Sequence, residues 1–271
     1  MSYSQIAKML KNELHEIPKI ALILGSGLGY LTNKFKDSTT IPYKNIEDFP
    51  NSTVKGHKGR LVAGNFLGKY VIAMDGRFHY YEGHNIKELV VPLYVFKELG
   101  IKSVIITNAA GAINKSFVPG DLVAIEDMIN FSFKNPLIGP NNEKYGTRFP
   151  DMSSPTSKSW LHQIEKKAME QNIELKRGTY IWVTGPIYET PSEIKMYRKL
   201  GADMIGMSTV PEIIVANYLN LKVIAFSCIT NMASGIFEEK LKHSDVVKAA
   251  EMASKKFESV VKISIEEEDA Q

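Results

Sequence analysis

The chain has 271 residues, of which 44% are hydrophobic, so it can bury a sizeable core in one large domain or two small ones. The formal net charge is +3 and charges of both signs are mixed along the chain, so no basic patch indicates a nucleic-acid partner. A single cysteine, Cys228, excludes an intramolecular disulfide framework and fits a reducing cytosol, and no run of about 18 apolar residues predicts a transmembrane helix.

The chain begins with a predicted surface helix, in which Ile6, Leu10 and Leu14 recur at helical spacing, and no apolar run typical of a secretory signal is present there. Strand and helix patterns then alternate, which predicts an α/β fold with a central mixed β-sheet flanked by helices, as a single domain spanning residues 1–271. Strands are predicted at 19–24, 60–64, 70–75, 103–108, 121–126, 179–184, 203–207 and 222–228. Helices are predicted at 86–99, 155–172, 191–200, 210–219 and 244–262.

The first strand ends in a glycine-rich turn, Gly25-Ser26-Gly27-Leu28-Gly29, of a kind that often receives a phosphate. A dinucleotide site is disfavoured, because Tyr30 replaces the third glycine of that fingerprint and the acids Glu47 and Asp48 lie in a polar, proline-bounded stretch. A P-loop is excluded because no Gly-Lys-Ser/Thr follows. The turn offers backbone N–H groups and the Ser26 hydroxyl to a small anion, and an ordinary strand-to-helix turn is an equally good interpretation.

Cationic and titratable side chains surround the strand at 70–75. After it, Arg77, His79 and Tyr81 occupy alternate positions, so an extended backbone would place all three on one face. The Arg77 guanidinium matches the geometry of phosphate oxygens. Before it, His57 lies between two glycines, which let the backbone come close to a ligand. A solvated surface arginine and a structural histidine are the alternative interpretations.

Two helix starts are predicted to carry capping boxes, with Thr190 and Thr209 as N-caps and a glutamate three residues after each. Ser208 therefore adjoins a helix N-terminus, which favours an anion. Glu189 precedes the other cap, in a loop whose glycine, proline and tyrosine suggest that the acid is held in place, although an ordinary surface acid is the alternative.

Other candidate ligand contacts lie at strand ends and in one long irregular region. The strand at 103–108 continues into Asn108-Ala109-Ala110-Gly111, where small residues suit a ligand crevice or a plain tight turn. The last apolar strand reaches Asn231, whose amide can face a heterocycle edge or form an Asx turn, and His243 precedes the last helix. The irregular region at 130–155 is long enough to indicate a functional or interface element.

Together these pieces resemble the trimeric family of purine nucleoside phosphorylases over nearly the whole chain. The matching segments, in the family's order, are LGSGLG, GHKGRLVAG, GRFHYYEGH, TNAAGAIN, GPNNEKYGTRFPDMS, GPIYETPSE, GADMIGMSTVPE and CITNMASGI. The resemblance implies phosphorolytic cleavage of 6-oxopurine (deoxy)ribonucleosides such as inosine and guanosine to the free base and (deoxy)ribose 1-phosphate, in purine salvage. It also implies a cytoplasmic homotrimer that uses orthophosphate as co-substrate, with no cofactor, no metal and no nucleic-acid or membrane partner.

The resemblance assigns expected roles to residues of this sequence. Phosphate would be held by Ser26, His57, Arg77, His79, Ser208 and the N–H of Ala109. The ribose would be held by Tyr81, Met207 and His243, and Tyr145 would close the ribose site of a neighbouring subunit. The base would contact Tyr188, Glu189 and Asn231, and the expected catalytic residues are Asn231, His79 and Glu189. Some family members have phenylalanine at positions 188 and 145, where this chain has tyrosine.

Three other functions stay open on the sequence alone. Methylthioadenosine phosphorylases resemble this family but have an aspartate in place of Asn231 and lack an acid like Glu189, so both residues favour 6-oxopurines. A dinucleotide-dependent oxidoreductase is disfavoured by the missing third glycine and the missing ribose acid. A nucleoside-binding protein without catalytic activity is the third.

Overall fold

The computed structural model describes residues 2–25, 27–54, 56–236 and 243–269, and for residues 243–252 and 269 it describes the backbone alone. The helices are α1 (Tyr3–Glu13), α2 (Val91–Leu99), α3 (Lys158–Glu170), α4 (Pro191–Lys199), α5 (Val210–Tyr218) and α6 (His243–Glu266). The strands are β1 (Ile20–Leu24), β2 (Lys36–Pro42), β3 (Arg60–Phe66), β4 (Lys69–Asp75), β5 (Ser103–Ala112), β6 (Leu122–Asn130), β7 (Lys176–Trp182), β8 (Met204–Gly206) and β9 (Lys222–Met232). Short 3-10 helices cover Gly29–Lys34, Tyr43–Asn45, Tyr80–Glu82, Glu88–Val90 and Glu267–Asp269.

The strands of the described residues form one mixed sheet in the order β2-β3-β4-β1-β5-β8-β7-β6-β9, and β9 also pairs with β5. This last pairing closes β5, β8, β7, β6 and β9 into a ring. β1 runs parallel to both of its neighbours, β4 and β5, and β5 runs parallel to β9. The predicted α/β fold with a central mixed sheet is therefore confirmed, and four parallel strands bring their carboxyl ends to one edge.

Both faces of the sheet are covered by helices, and this explains why β1 is apolar at every position. Ala21 and Ile23 pack into the core cluster that also contains apolar residues of α1, α2 and α5. Ile20, Leu22 and Leu24 pack into a second cluster with residues of α3 and α6. A strand buried on both faces between parallel neighbours is typical of α/β sheets. Within the described residues, no helix is both long and apolar enough to span a membrane.

The predicted elements are all present, with boundaries shifted by a few residues, and one strand was not predicted. β2 pairs antiparallel with β3 at the edge of the sheet and is mostly exposed, so its sequence KDSTTIP carries no apolar pattern. The helix predicted at 86–99 begins as the 3-10 turn Glu88–Val90 and becomes α-helical only at Val91. The region from 131 to 157 contains no helix or strand, as predicted for 130–155.

Candidate functional site

A cavity of about 360 Å³ opens at the edge where the parallel strands end. Gly25 follows β1, Asn108–Gly111 end β5, Asn231 lies near the end of β9, and Arg77 follows β4 by two residues. Open α/β sheets bind ligands at the carboxyl ends of their strands, so this edge is the expected place for a site. The full lining is Gly25, Arg77, His79, Tyr81, Asn108, Ala109, Ala110, Gly111, Pro186, Tyr188, Glu189, Ile205, Gly206, Met207, Ser208, Thr230, Asn231 and Ala233.

Most of the residues singled out in the sequence meet in this cavity, namely Arg77, His79, Tyr81, Ala109, Tyr188, Glu189, Met207, Ser208 and Asn231. Among the described side chains, those of His57 and Tyr145 do not line it. Ser26 and the side chain of His243 lie outside the described residues. His57 stacks on His79 with ring centroids 5.5 Å apart, and Tyr145 lines a separate cavity of about 190 Å³.

Arg77 supplies a buried permanent charge to the cavity. Its side chain is 2% exposed, and Nη1 donates to Ser208 Oγ at 2.8 Å and to Thr209 Oγ1 at 3.0 Å. Nε makes no hydrogen bond and lies 3.6 Å from Glu212 Oε1. The guanidinium and the Ser208 hydroxyl both line the cavity and can donate, which suits an anion that accepts several hydrogen bonds.

Thr209, whose hydroxyl accepts a hydrogen bond from Arg77, has a strained backbone. Its φ is 77° and ψ is −47°, and Val210 N donates to Ser208 O at 2.8 Å across it, so the chain turns within three residues. Positive φ is costly for a β-branched residue. The Thr209 hydroxyl accepts from Asn108 Nδ2 at 2.8 Å and from Arg77, and these bonds hold the strained turn in place.

The predicted capping boxes have different outcomes. The Thr190 box is confirmed, because Thr190 Oγ1 accepts from Glu193 N at 3.2 Å and Glu193 Oε2 accepts from Thr190 N at 2.7 Å. The Thr209 box is wrong. Its hydroxyl makes no cap hydrogen bond, and Glu212 pairs with Arg77 instead. Pairing with the buried Arg77 guanidinium therefore takes precedence over local helix capping here.

Glu82 orients the His79 ring. Glu82 Oε1 accepts from His79 N at 2.8 Å and lies 3.0 Å from Nδ1, and Oε2 accepts from Thr53 N at 2.6 Å. Burial acts to raise the pKa of Glu82, but the hydrogen bonds from His79 and Thr53 outweigh it and lower the pKa to about 2. An ionised carboxylate only accepts, so Nδ1 carries the proton and Nε2 is left for a ligand. Burial also lowers the pKa of His79.

His57 stacks on His79 and has one ring nitrogen without a hydrogen-bond partner. Nδ1 lies 3.2 Å from both Arg77 O and Ser52 Oγ, while the buried Nε2 has no hydrogen-bond partner. Burial, and the repulsion that a second protonated imidazole at His79 would exert, lower the pKa of His57 to about 4, so the ring is neutral at pH 7. Its approach needs Gly76, where an added Cβ would lie 2.8 Å from His57 Cβ.

Tyr81 lies on the same side of the cavity as His79, but the predicted reason is wrong. The backbone is not extended through Tyr81, because the 3-10 turn Tyr80–Glu82 begins after His79. The turn stacks the Tyr81 ring on the His79 ring at 4.7 Å. Burial raises the pKa of Tyr81 to about 12, so the phenol keeps its proton. Nearby, Gly185 leaves room for Met207, whose Sδ would lie 2.4 Å from an added Cβ.

Glu189 and Asn231 add a carboxylate and an amide to the same cavity. Glu189 is half-buried, and burial raises its pKa. Asn231 Oδ1 accepts from Thr230 Oγ1 at 2.9 Å, and Nδ2 donates to Met232 O at 3.1 Å. Gly111 gives the amide its space, since a Cβ there would lie 3.2 Å from Asn231 Nδ2. Acceptor and donor groups of this kind fix the orientation of a polar heterocycle.

Sequence reasoning missed the groups that support these side chains. Glu82 was detectable, because it lies three residues after His79, the spacing of a capping box. The Tyr180 hydroxyl was not, since it reaches Ser208 N, at 3.4 Å, only through the sheet. Gly206 makes this contact feasible, because an added Cβ would lie 2.2 Å from the Tyr180 hydroxyl. Across the described residues, no group of three or more histidine, cysteine, aspartate or glutamate side chains is placed to hold a metal ion.

Comparison with known proteins places this geometry in context. The sequence profile of the phosphorylase superfamily matches residues 19–266. The chain is 48% identical over 256 residues to purine nucleoside phosphorylase 1 of Bacillus subtilis (strain 168), covering 94% of each protein. It is 43% identical over 268 residues to purine nucleoside phosphorylase of Bos taurus, covering 96% of this chain and 93% of that protein. A crystal structure of a schistosoma purine nucleoside phosphorylase in complex with hypoxanthine superimposes with a TM-score of 0.92 at 35% identity, covering 97% of this chain and 96% of the other.

Proposed function

The chain belongs to the phosphorylase superfamily, and on that premise we propose that it is a purine nucleoside phosphorylase. It cleaves the N-glycosidic bond of purine nucleosides with orthophosphate, giving the free base and ribose 1-phosphate. The observation that supports this most is the content of one cavity, where buried Arg77 and its partner Ser208 share the space with Glu189 and Asn231. Arg77 and Ser208 suit an anion, and Glu189 and Asn231 suit a purine.

The phosphate would be bound by Arg77, Ser208, His79 and the Ala109 N–H, with Ser26 and His57 completing the site. Arg77 Nη1 and Ser208 Oγ are 2.8 Å apart, so both are within reach of one anion. At pH 7 the two histidines are neutral, and with Nδ1 protonated each presents Nε2 as an acceptor. Each can therefore bind the anion only through a protonated phosphate oxygen, and the guanidinium carries the electrostatic attraction.

The reaction then needs no protein nucleophile. Cleavage of the C1′–N9 bond proceeds through an oxocarbenium-like transition state, which glycosidases meet with a pair of carboxylates. Here a phosphate oxygen forms the new bond to C1′ while the C1′–N9 electron pair leaves with the purine. The dianion also stabilises the positive charge that grows at C1′. The ribose would lie between the bound phosphate and the base, against Tyr81 and Met207, with His243 toward its 5′-hydroxyl.

Asn231 and Glu189 would stabilise the departing base and select it. A 6-oxopurine presents an acceptor at O6, a donor at N1 and an acceptor at N7. The Asn231 amide donates to O6 or N7, and this bond strengthens as negative charge develops on the leaving purine. The ionised Glu189 carboxylate accepts from N1–H. Adenine has the opposite polarity at N1 and at position 6, so the site favours inosine and guanosine over adenosine.

The proposal extends to the setting of the enzyme. One domain spanning residues 1–271 would assemble as a homotrimer, with Tyr145 of one subunit near the ribose site of the next. Orthophosphate is the co-substrate, and neither a cofactor nor a metal is required. Because its reactants are nucleosides and inorganic phosphate, the enzyme would act in purine salvage in the cytoplasm, without nucleic-acid or membrane partners.

A substrate panel tests the proposed function. Inosine, guanosine, adenosine and methylthioadenosine are each incubated with the enzyme, with and without phosphate, and free base and sugar phosphate are quantified. We expect phosphate-dependent release of hypoxanthine and guanine, and much slower reaction of the two 6-aminopurine nucleosides. A preference for methylthioadenosine would identify a methylthioadenosine phosphorylase instead, and no cleavage of any nucleoside would refute the proposal.

A further inference from the structure

Asp75 is a buried carboxylate that lies behind the anion-binding side chains without lining the cavity. It is the last residue of β4, two positions before Arg77, and its side chain is 2% exposed. Its Oδ2 accepts from Arg60 Nε at 2.9 Å and from Thr32 Oγ1 at 3.3 Å, and Lys58 Nζ lies 3.8 Å away. Burial of a carboxylate is costly unless it is paired, so these partners indicate a specific role.

The same carboxylate fixes the far end of the glycine-rich turn that follows β1. An added Cβ on Gly29 would lie 2.2 Å from Asp75 Oδ1, and the three nearest atoms beyond its chain neighbours all belong to Asp75. The 3-10 helix that begins at Gly29 carries Thr32, whose single hydroxyl proton is shared between Gly29 O at 2.8 Å and Asp75 Oδ2 at 3.3 Å. Asp75 is therefore packed directly against the backbone of the turn at one point and hydrogen-bonded to it one helical turn later.

Asp75 also fixes the segment that presents His57. Gly59 N donates to the Asp75 carbonyl oxygen at 3.0 Å, while the Asp75 side chain holds Arg60 and lies near Lys58. Arg77 follows two residues later, so one aspartate ties together Arg77, the turn that begins at cavity-lining Gly25, and the segment whose His57 stacks on cavity-lining His79.

The near end of the glycine-rich turn is fixed independently. Gly25 N donates to Thr107 Oγ1 at 2.9 Å, and an added Cβ on Gly25 would lie 2.7 Å from Asn108 Cα. β4 and β5 are the two sheet neighbours of β1, so each holds one end of the turn that follows β1. Loss of the Asp75 contact would release the Gly29 end alone.

We propose that Asp75 is a positioning residue for the phosphate site, which holds the Gly29 end of the glycine-rich turn and the His57–Arg60 segment in register with Arg77. This rests on the proposed function, because it takes the bound anion to be orthophosphate. Arg60 and Lys58 offset the negative charge of Asp75, so the carboxylate can stand close to the anion site without repelling its ligand. Asp75 touches neither reactant and acts through the segments that it holds.

The test compares Asp75→Ala, Asp75→Asn and Gly29→Ala with wild type. Phosphate affinity is measured by calorimetry, and KM for inosine and for phosphate by steady-state kinetics. Since displacement of binding groups by about 1 Å can cost up to a hundredfold, we expect Asp75→Ala to weaken phosphate binding by about tenfold or more, with the inosine KM within about twofold of wild type. Asp75→Asn keeps the shape and one acceptor and should recover most of the affinity.

Gly29→Ala perturbs the same contact without altering a charge. It should weaken phosphate binding in the wild-type background and add little to Asp75→Ala, because the double variant has space for the new methyl group. Asp121→Ala is the control, since it breaks another aspartate ion pair of the sheet, in which Lys176 Nζ lies 2.7 Å from Asp121 Oδ2. Neither residue of that pair lines the cavity. It should lower thermal stability and leave the affinity for phosphate unchanged.

The outcomes separate this inference from the proposed function. Equal losses for phosphate and inosine in Asp75→Ala, additive effects of the two substitutions, or wild-type phosphate affinity in Gly29→Ala would each overturn the positioning role. Wild-type enzyme that binds phosphate yet leaves nucleosides intact would refute the proposed function, and the calorimetric comparison would still decide the role of Asp75. Wild-type enzyme that binds no phosphate would overturn the inference.

Discussion

Arg77 illustrates how a single residue is prepared for its task. The guanidinium is almost fully buried, and the hydroxyls of Ser208 and Thr209 accept hydrogen bonds from it and hold it in place. Glu212, 3.6 Å from Nε, offsets part of its charge. The two histidines beside it are held neutral by burial. We therefore expect attraction for an anion at this end of the cavity to depend on the part of the Arg77 charge that Glu212 leaves uncompensated, and its orientation to depend on the neutral groups around it.

At the residue scale, base choice should follow Asn231 and Glu189. Asn231→Asp should lower kcat/KM for inosine by about a hundredfold to a thousandfold, the usual cost of losing one transition-state donor, and shift preference toward 6-aminopurines, whose amine can donate to the new carboxylate. Glu189→Ala should lower kcat/KM far more for inosine than for adenosine. Steady-state kinetics with both nucleosides at saturating phosphate measure the ratio. An unchanged inosine-to-adenosine ratio in both variants would show that other residues select the base.

Glu189 should also set the acid side of the pH profile. The carboxylate must be ionised to accept N1–H, and burial raises its pKa above the ordinary value of 4.5. As pH falls through that raised pKa, kcat/KM for inosine should therefore decline, at a pH where Glu82, with a pKa of about 2, is still ionised. Glu189→Gln should lose this limb of the profile. Superimposable profiles for variant and wild type would assign the acid limb to another group.

The raised pKa of Glu189 also predicts how the stability of the fold changes with pH. Because the folded protein holds the Glu189 proton more tightly than the unfolded chain, ionisation above the raised pKa costs folding free energy. Glu189→Gln should thus be more stable than wild type at pH 7. The difference should shrink as pH falls through the raised pKa and nearly vanish below about 4.5, and thermal unfolding at several pH values measures it.

At the scale of elements, the strained turn before α5 is the feature that joins fold and site. Thr209→Ala and Thr209→Gly both remove the hydroxyl that accepts from Arg77 and Asn108, so both should weaken phosphate binding. Glycine alone adopts a φ of 77° without strain, so Thr209→Gly should be more stable than Thr209→Ala by about 1 kcal/mol. Urea unfolding compares them. Equal stabilities would mean that the turn relaxes when the hydroxyl is lost.

Element types could be predicted from sequence where local pattern and packing agree. Apolar runs gave the central strands, and the Thr190 capping box marked the start of α4 correctly. β2 was missed because an exposed edge strand needs no apolar alternation. The Thr209 box failed because the partner that claims the hydroxyl, Arg77, is 132 residues away in sequence. Local rules therefore fail at the site, where distant charged groups compete with helix capping.

The candidate site was predicted in composition more fully than in geometry. Arg77, His79 and Tyr81 do line one cavity, but a 3-10 turn rather than an extended backbone places Tyr81 there. The supports of these groups, such as Glu82 and Asp75, depend on how the sheet brings its strand ends together. Pairings of this kind are tertiary and leave little local pattern in one sequence.

At the scale of the whole molecule, the irregular region between β6 and α3 exposes large apolar side chains. Phe133 is 80% exposed, Ile138 67% and Phe149 88%. Exposed apolar groups concentrated in one region indicate an interaction surface. A homotrimer that buries this region would remove these side chains from water and would bring Tyr145, in the same region, to a neighbouring subunit.

The homotrimer should be detectable by function as well as by mass. Light scattering should give three times the chain mass at micromolar concentration. Tyr145→Ala and Asn231→Ala should each be weakly active alone, and co-assembly of equal amounts should restore activity at about a quarter of the sites, those that combine an intact Asn231 with an intact neighbouring Tyr145. A monomer in solution would contradict the assembly, and mixtures no more active than their components would contradict the role of Tyr145.

The central claim is that phosphate is the nucleophile that takes the ribose from the purine. The most direct measurement is ³¹P NMR of the enzyme with inosine and orthophosphate, with hypoxanthine followed by absorbance in the same sample. The account predicts a new sugar-phosphate resonance that grows in step with hypoxanthine while the orthophosphate signal declines by the same amount. Hypoxanthine released without loss of orthophosphate would show hydrolysis by water and would contradict the account.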